Sequence, residues 1–307
     1  MNEYKTSAGL EQAVKEAARK SNRPVQVIQE EYYRSRLLAR IFTNDTPSFV
    51  LKGGAGILAR IPDARRTRDI DLYASDDFEI DESINELVKL ASLDLGDFYR
   101  FELVSVNRYQ QEATYRKVIR LGFRGSIGAK QISSIFNIDL VFGCVPTAPI
   151  EKRLPKNLEG FPYSEVEYYL YPLVDHIADK VCAIVEKHGS GYSSSRVKDL
   201  VDLCVIALNE SVRLRMLARA LLSETNLRDL YPLYEFTIPD EWSMNPQSAV
   251  KLLGDLSMPN EFRSLRGAFV LAKSFIDPAL QNTTEELSWN PGSQEWVSSE
   301  DFRPLNS

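Results

Sequence analysis

Two aspartates two residues apart, Asp69 and Asp71, stand in an apolar segment of this chain. In a β-strand such residues face the same side, while Ile70 and Leu72 face the other side and can enter a core. Neighbouring carboxylates repel each other unless a cation lies between them. Mg²⁺ is held in proteins by one or two carboxylates together with substrate phosphates. The pair therefore predicts metal-dependent phosphate chemistry, with a solvated strand end as the alternative.

A glycine pair precedes the aspartates. Gly53 and Gly54 follow the apolar segment 49–52 and leave room for the close approach of a triphosphate. Thr67 adds a hydroxyl group two residues before the first carboxylate. Because Gly-Gly is also common in ordinary turns, the prediction depends on the spacing of all these residues together.

A third carboxylate lies in the predicted strand 134–142. Its apolar residues alternate along the chain, and Asp139 is the ionisable residue among them. A carboxylate in apolar surroundings is costly unless it is paired or bound to a metal. Asp139 is therefore either a partner of the first two carboxylates or a residue that faces water on an edge strand.

Two predicted helices in the second half of the chain carry a lysine and two further aspartates. Lys180 flanks a buried stripe, from which its stem can extend to bring the ammonium group to a phosphate. Asp199 and Asp202 lie three residues apart on one helix face. The alternatives are a solvated Lys180 and a plain i,i+4 ion pair between Lys198 and Asp202.

Four of these segments together resemble the DNA polymerase beta-like nucleotidyltransferase superfamily, and most of all its AbiEii/AbiGii toxin branch, which includes the MenT-type toxins. They are Lys-Gly-Gly at 52–54, Arg-Arg-Thr-Arg-Asp-Ile-Asp at 65–71, Asp-Lys-Val-Cys-Ala-Ile at 179–184 and Arg-Val-Lys-Asp-Leu-Val-Asp-Leu at 196–203. The resemblance covers residues 45–208. It departs from some relatives at Ile57-Leu58 and the short basic loop, where those relatives have a longer insert.

The resemblance implies a nucleotidyltransferase toxin of a toxin–antitoxin system. It would transfer a nucleoside monophosphate from an NTP, with Mg²⁺ or Mn²⁺, to an RNA acceptor, for which the 3′ end of tRNA is expected, and it would have a cognate antitoxin. The expected metal ligands are Asp69, Asp71 and Asp139. The expected nucleotide-binding residues are Lys52, Gly53, Gly54, Arg66, Thr67 and Lys180. The expected catalytic residues are Asp69, Asp71, Asp139, Lys180, Asp199 and Asp202.

Two alternatives stay open at this point. One is a nucleotidyltransferase that modifies a small molecule, as aminoglycoside-modifying relatives do. The other is a nucleotide-binding or protein-interaction module without catalysis, which the intact Asp69, Asp71 and Asp139 disfavour.

The charge distribution favours a polyanionic acceptor. The chain has a net charge of −6, yet residues 1–68 hold 13 Lys and Arg against 7 Asp and Glu. This basic segment predicts a wall that binds the RNA backbone. Its arginines are Arg34, Arg36, Arg40, Arg65, Arg66 and Arg68. The alternative is a set of amphipathic helices whose arginines are solvated.

The fold class expected from the residue pattern is α/β (α+β): a mixed sheet with flanking helices and a helical C-terminal domain, arranged as two lobes. We predict a catalytic domain at 1–150 and a helical domain at 151–307, which completes the active-site cleft.

The expected helices are 7–20, 24–42, 81–93, 173–185, 196–208, 211–222, 226–234, 247–257 and 260–276. The expected strands are 49–52, 69–73, 99–106, 113–124 and 134–142. Residues 124–130 are expected to connect a hairpin, residues 145–172 to form a crossing loop, residues 187–195 to form a flexible break, and the tail after Pro278 to wrap the surface or be partly disordered.

Composition points to a cytoplasmic protein without a membrane segment. No window approaches the ~18 continuous apolar residues of a membrane helix, and the N-terminus lacks an apolar signal-peptide core. Cys144, Cys182 and Cys204 stand in apolar surroundings, which predicts buried, reduced thiols. The chain has only two histidines, so a structural zinc site is not expected.

Overall fold

The computed structural model of the chain describes residues 4–20, 24–44, 48–62, 64–74, 79–108, 116–155, 161, 166–187, 194–244, 247–254, 258–281 and 285–298. The chain forms two compact units, each built from several stretches. The sheet unit takes Met1–Pro62, Thr67–Cys144 and Glu151–Leu170, and the helical unit takes Asp63–Arg66, Val145–Ile150 and Tyr171–Ser307. The domain boundary at 150/151 and the two-lobed cleft stay predictions.

One mixed sheet organises the sheet unit. Its strands within the described residues are β1 (Phe49–Lys52), β2 (Ile70–Ala74), β3 (Tyr99–Arg108), β4 (Lys117–Ile127), β5 (Lys130–Phe142), β6 (Glu151–Arg153) and β7 (Tyr168–Leu170). The strand order is β3-β4-β5-β2-β1-β7-β6. Strand β2 runs parallel to β5 and antiparallel to β1, which runs parallel to β7. The remaining neighbours are antiparallel. The predicted α/β class with a mixed sheet is confirmed.

Strand β2 shows why this sequence forms a half-buried strand. Ile70, Leu72 and Ala74 are fully buried, and the intervening Asp71 and Tyr73 are half-buried. This period-two alternation places one face of the strand in the core and leaves the polar residues on the other.

Two connections differ from the predictions. Strands β4 and β5 extend through the expected 124–130 connection and turn at Gly128, whose positive φ of 56° favours glycine. The segment 145–172 is not entirely loop, because β6 and β7 form within it and Leu51 pairs with Leu170. Strands of three residues give too short an alternation to be recognised among several prolines.

Four helices among the described residues belong to the sheet unit: α1 (Ser7–Lys20), α2 (Val25–Ile41), α3 (Gly53–Arg60) and α4 (Ile80–Ala91). The predictions for α1, α2 and α4 are confirmed to within two residues at each end. Helix α2 buries Ile28 and Tyr32 on one face. Tyr32 lies against the ring of Tyr99 on β3, at 5.9 Å between ring centroids, and this contact helps to fix α2 on the sheet unit.

Two arginines of α2 form a buried ion cluster with Asp97. Arg36 and Arg40 are 2% and 0% exposed. Both guanidinium groups lie 2.6 Å from carboxylate oxygens of Asp97, and Arg40 also donates to the carbonyl oxygen of Tyr99 at 2.7 Å. The prediction that Arg36 and Arg40 belong to an RNA-binding wall is wrong, and so is the solvated alternative. Their charges are neutralised within the sheet unit by a carboxylate more than fifty residues away in sequence.

This cluster predicts a loss of stability in acid. Burial acts to raise the pKa of Asp97, but hydrogen bonds and charges from Arg40 and Arg36 outweigh it, so the pKa is lowered. A carboxylate with a lowered folded-state pKa contributes stability above its unfolded pKa of about 3.9, and this stability is lost as the pH falls through the folded pKa. We expect Asp97→Asn to cost about 2 kcal/mol at pH 7, because two buried guanidinium groups lose a charged acceptor. Urea unfolding between pH 7 and pH 3 measures this effect. The difference between wild type and variant should shrink as the pH falls, and a constant difference would contradict the ionic cause.

The described part of the helical unit contains helices of 5 to 16 residues. They are α5 (Leu173–Val185), α6 (Val197–Asn209), α7 (Leu214–Leu227), α8 (Asp240–Met244), α9 (Gln247–Gly254) and α10 (Leu265–Leu280). Helices α5 and α6 are close to their predicted bounds, and α7 begins and ends later than predicted. The predicted flexible break at 187–195 lies mostly outside the described residues, which stop at Lys187 and resume at Ser194.

Two predicted helices of this unit are wrong or shortened. No helix spans 226–234, since α7 ends at Leu227, Asp229 has a positive φ of 55°, and Pro232 cannot donate a backbone hydrogen bond. The predicted helix 260–276 is instead a 3-10 turn at Asn260–Phe262 followed by α10. The side chain of Ser264 caps α10 by accepting a hydrogen bond from the backbone N–H of Gly267.

The tail after Pro278 packs more closely than predicted. Its described part forms a hairpin of β8 (Leu287–Asn290) and β9 (Glu295–Ser298). Trp289 is 0% exposed, donates from its indole N–H to the carbonyl oxygen of Ala207, and lies against Phe275. The burial of Trp289 was not predicted, because the surrounding sequence is rich in Glu, Ser and Asn and a single large aromatic residue gives no apolar pattern.

The cysteine prediction agrees with the structure. Cys144, Cys182 and Cys204 are free thiols, and all three are buried. Among the described residues, no helix is both long and apolar enough to cross a membrane.

Candidate active site

The structure places Asp71 and Asp139 side by side. They are register partners on the parallel strands β2 and β5. Their neighbours Ile70 and Ile138 are paired in the same way and are fully buried. Register partners face the same side of a sheet, so both carboxylates lie on the face opposite this core. Two sequence-predicted site residues are thereby brought together across 68 positions of the chain.

Asp69 adds a third carboxylate immediately before the first residue of β2. It is exposed and precedes the first residue of the strand, Ile70. Its carbonyl oxygen accepts a hydrogen bond from the hydroxyl of Thr67 at 3.3 Å. The predicted strand 69–73 is therefore shifted by one residue, and Asp69 has more freedom to move than Asp71.

Asp139 has a protein partner. The guanidinium of Arg120 on β4 donates two parallel hydrogen bonds to its carboxylate, Nε to Oδ1 at 2.7 Å and Nη2 to Oδ2 at 2.6 Å. Strand β5 lies between β4 and β2, so the alternative of an edge-strand aspartate facing water is wrong. A bidentate pair of this kind neutralises the carboxylate. A metal that used Asp139 would compete with Arg120 for the same oxygens.

The donor set suits a hard divalent cation held partly by substrate. Among the described residues, no group of three or more His, Cys, Asp and Glu side chains could hold a metal ion. Asp69 and Asp71 supply carboxylate oxygens two residues apart, and Asp139 is already paired. Mg²⁺ needs only one or two carboxylates when substrate phosphates and waters complete its shell. Asp69 and Asp71 therefore fit Mg²⁺ as a two-carboxylate site.

The glycine pair packs directly against these residues. Gly53 begins α3 with a φ of +61°, and a Cβ atom there would lie 1.9 Å from Oδ2 of Asp71. A Cβ atom on Gly54 would lie 3.0 Å from Cβ of Thr67. The close approach that the sequence suggested for a triphosphate is thus made, in this structure, by Asp71 and Thr67 themselves. Gly53 sets the position of the Asp71 carboxylate.

This contact predicts the outcome of Gly53→Ala. The added methyl group must displace the carboxylate of Asp71, and a displacement of about 1 Å at a reacting centre costs roughly 10²-fold in rate. Nucleotide transfer by the variant measures the effect. Gly96→Ala is the matched control, because Gly96 also has a positive φ, of 67°, but a Cβ atom there meets nothing within 4 Å. The control should lose about 1 kcal/mol of stability and keep its transfer rate. Equal transfer rates for the two variants would contradict the assigned role of Gly53.

The other expected nucleotide-binding residues in the first half of the chain differ in exposure. Lys52 is 4% exposed, pairs in register with Asp71, and its ammonium group lies 3.5 Å from the sulfur of Cys144. Thr67 is half-buried. Arg66, which belongs to the helical unit, is exposed. Lys52 is therefore held beside Asp71 by the sheet, whereas Arg66 can reach a ligand from solvent.

The helical unit brings Lys180, Asp199 and Asp202 into one buried network. The ammonium group of Lys180 on α5 donates to Oδ1 of Asp199 at 2.7 Å and to Oδ2 of Asp202 at 2.5 Å, both on α6. Burial acts to lower the pKa of Lys180, but the charges of Asp202 and Asp199 outweigh it, and the pKa is raised. Lys180 is 6% exposed, so the alternative of a solvated lysine is wrong.

Arg65 completes this network, so the prediction that it belongs to an RNA-binding wall is wrong. Its guanidinium lies 2.7 Å from Oδ2 of Asp202, which also accepts from Lys180. The proposed plain helix pair of Lys198 with Asp202 is replaced by these partners. The signal in the sequence was the arginine that begins the Arg-Xaa-Thr-Xaa-Asp motif, although spacing alone could not connect it with a residue 137 positions later.

Comparisons with known proteins identify the family and the fold. The family described as nucleotidyl transferase AbiEii toxin, type IV toxin–antitoxin system, matches residues 36–270. Among solved structures, MenT4, a nucleotidyltransferase toxin from Mycobacterium tuberculosis H37Rv, is 14% identical with a TM-score of 0.54, covering 91% of this chain and 90% of its own. JHP933 from Helicobacter pylori is 17% identical with a TM-score of 0.43, covering 83% of this chain and 94% of its own. No curated protein matches the sequence. The likeness to MenT4 shows the fold, and since the family match spans most of the chain, the chain belongs to the AbiEii nucleotidyltransferase toxins of type IV toxin–antitoxin systems.

Proposed function

We propose that this nucleotidyltransferase transfers a nucleoside monophosphate from an NTP to a hydroxyl group of RNA, at the 3′ end of tRNA, with Mg²⁺ or Mn²⁺ as cofactor. The observation that carries the proposal is the placement of Asp71 beside Asp139 on parallel strands, with Asp69 two residues before Asp71. Membership of a nucleotidyltransferase family supports the reaction type. The cytoplasm, which holds both NTPs and tRNA, is the proposed site of action.

In the proposed reaction, the acceptor oxygen forms a bond to the α-phosphorus of the NTP. The bond from that phosphorus to the bridging oxygen breaks, and pyrophosphate leaves. The bound divalent ion supplies positive charge for the phosphates and for the leaving oxygen. Asp69 and Asp71 hold that ion. Asp139 accepts the proton of the attacking hydroxyl once its carboxylate is released from Arg120.

The remaining residues position the nucleotide. Gly53 and Gly54 leave the N-terminal end of α3 without side chains, and Lys52 and Thr67 flank it. Lys180 contributes positive charge to the phosphates, and its two carboxylate partners fix its position and keep it protonated. We assign the same holding role to Asp199 and Asp202, which are both bound to the ammonium group. The family further implies a cognate antitoxin as partner.

Labelled transfer tests this proposal. The protein is incubated with each α-labelled NTP in turn, with total RNA, and with either Mg²⁺ or an excess of EDTA. We expect label in RNA for at least one NTP, and none with EDTA. Label in a small-molecule fraction would favour the aminoglycoside-type alternative. NTP binding without transfer to any acceptor would favour the non-catalytic module.

Salt dependence separates an RNA acceptor from a small one. Arg36 and Arg40 are bound to Asp97 and Arg65 is bound to Asp202, so these three arginines do not belong to the proposed wall. We assign the exposed Arg66 and Arg68 to the RNA backbone. Two phosphate contacts to a single strand predict that log affinity falls by about 1.4 per log unit of salt. A small-molecule acceptor predicts a much flatter profile.

Charge reversal provides the matched test of this assignment. The double variant Arg66→Glu/Arg68→Glu should raise the apparent RNA constant by about 10-fold or more and flatten the salt profile. The control Arg19→Glu/Lys20→Glu makes the same charge change on the exposed end of α1. If both double variants behave alike, net charge explains the effect and the two arginines do not contact RNA.

A further inference from the structure

Arg34 on α2 does not take part in the ion cluster that Arg36 and Arg40 form with Asp97. Arg34 is 8% exposed and thus buried, as Arg36 and Arg40 are, but only those two are bound to Asp97. Its Nε atom is buried without a hydrogen-bond partner. Within the described residues, Arg34 makes neither a hydrogen bond nor an ion pair. Within the part of the chain that the structure describes, the Nε donor of Arg34 is therefore buried without a direct partner.

The charge of Asp69, an expected metal ligand, is among those that act on Arg34. Its guanidinium interacts through charge alone with Glu31, Glu30, Asp69 and Arg68. Burial is the largest influence and lowers the pKa of Arg34. Glu30 accepts a hydrogen bond from the hydroxyl of Ser134 on β5 at 3.0 Å, so this carboxylate already has a partner elsewhere. Of the acidic neighbours, Asp69 is an expected metal ligand.

A buried N–H donor without a partner costs the protein stability. Buried polar groups are nearly always hydrogen-bonded, and those that are not require an explanation. Functional sites commonly keep such groups because a ligand completes their bonding. The guanidinium has five donors in a planar fork that matches a phosphate group. An anion with several oxygens is therefore the chemistry that would satisfy Arg34.

We propose that Arg34 binds a phosphate of the substrate NTP beside Asp69. This inference rests on the proposed function, since it takes Asp69 as a ligand of the NTP-bound cation. A cation held by Asp69 would bring the NTP phosphates to this carboxylate, whose charge also acts on the Arg34 guanidinium. The NTP is favoured over the RNA backbone because Arg34 is buried, whereas Arg66 and Arg68 at the same segment are exposed.

The test compares NTP binding with the stability of the unliganded protein. ATP, CTP, GTP and UTP are each titrated with Mg²⁺, in the absence of RNA, into wild type, Arg34→Met and Arg34→Lys by calorimetry. For the nucleotide that wild type binds, we expect Arg34→Met to raise Kd by about 10-fold or more. Arg34→Lys should lie between the two, because it keeps the charge and loses the fork. The midpoint of thermal unfolding without NTP should be unchanged or higher in Arg34→Met, because the variant removes a buried donor that has no hydrogen-bond partner. Arg100→Met, at an exposed arginine of β3, should alter neither quantity.

The outcomes separate this inference from the proposed function. If wild type binds none of the four nucleotides, the proposed function fails and the inference fails with it. If wild type binds and both Arg34 variants bind equally well, only the inference is overturned. A lowered unfolding midpoint with unchanged Kd identifies Arg34 as a structural residue and also overturns it. A separate titration of RNA into wild type and Arg34→Met completes the test. Weakened RNA binding with unchanged NTP affinity would assign Arg34 to the acceptor and likewise overturn the inference.

Discussion

Asp71→Asn is expected to reduce nucleotide transfer by about 10³-fold or more while leaving the fold intact. Asparagine keeps the shape that packs over Gly53 but removes the negative charge. Stabilisation of transition-state charge by a bound cation supplies several kcal/mol, and each 1.4 kcal/mol corresponds to tenfold in rate. Losing a ligand of that cation should therefore remove most of the rate. Asp71 is only half-buried on a strand whose core contacts are made by its neighbours, so the free energy of unfolding should change by less than about 1 kcal/mol.

The measurement is transfer from labelled NTP at several Mg²⁺ concentrations. A weakened metal site predicts that part of the lost activity returns at high Mg²⁺, and that Asp69→Asn shows a loss of the same kind. Glu102→Gln is the matched control, since it makes the same carboxylate-to-amide change at an exposed position of β3. Wild-type activity in Asp71→Asn, or an equal loss in Glu102→Gln, would refute the two-carboxylate site.

The residues of this site could be found from sequence because their signals are local. The alternation of Ile70, Asp71 and Leu72 is a property of three consecutive residues, and it identifies both the strand and its polar face. Asp139 stands in the same kind of alternation on β5. Neither signal contains the register of β2 on β5, which depends on the order of the strands in the sheet. Placing Asp71 opposite Asp139 therefore required the structure.

The partners of the charged residues could not be predicted for a related reason. Arg120 meets Asp139 because the turn at Gly128 and a register shift between Arg124 and Ser126 together set the pairing of β4 with β5. Counting charges in residues 1–68 treated every arginine as available to a ligand, but Arg36 and Arg40 are bound to Asp97. Ion pairs between distant segments follow from tertiary packing, which residue spacing does not encode. The net charge of a segment is consequently weak evidence for a binding surface when its burial is unknown.

Lys180→Met is expected to destabilise the helical unit by about 3–5 kcal/mol and to lower transfer by about 10²-fold or more. Removing the ammonium group leaves Asp199 without its principal cation and leaves Asp202 with Arg65 alone. Breaking a buried ion pair on one side costs this much because an uncompensated charge stays buried. A solvated lysine would change the free energy of unfolding by less than about 0.5 kcal/mol, but Lys180 is buried. Loss of activity in the single variant is therefore ambiguous, since unfolding alone could cause it.

A second substitution removes this ambiguity. In Lys180→Met/Asp199→Asn, the carboxylate that lost its cation is neutral, and Asp202 keeps Arg65. We expect the free energy of urea unfolding to recover by at least about 1 kcal/mol relative to Lys180→Met, because a buried unpaired charge has been removed. Transfer should stay about 10²-fold below wild type if the ammonium group acts on the NTP phosphates. The single variant Asp199→Asn, which keeps Lys180 bound to Asp202, should retain far more activity than the double variant. If transfer recovers together with stability, the network of Lys180, Asp199, Asp202 and Arg65 serves the fold, and the positive charge on the phosphates must come from another residue.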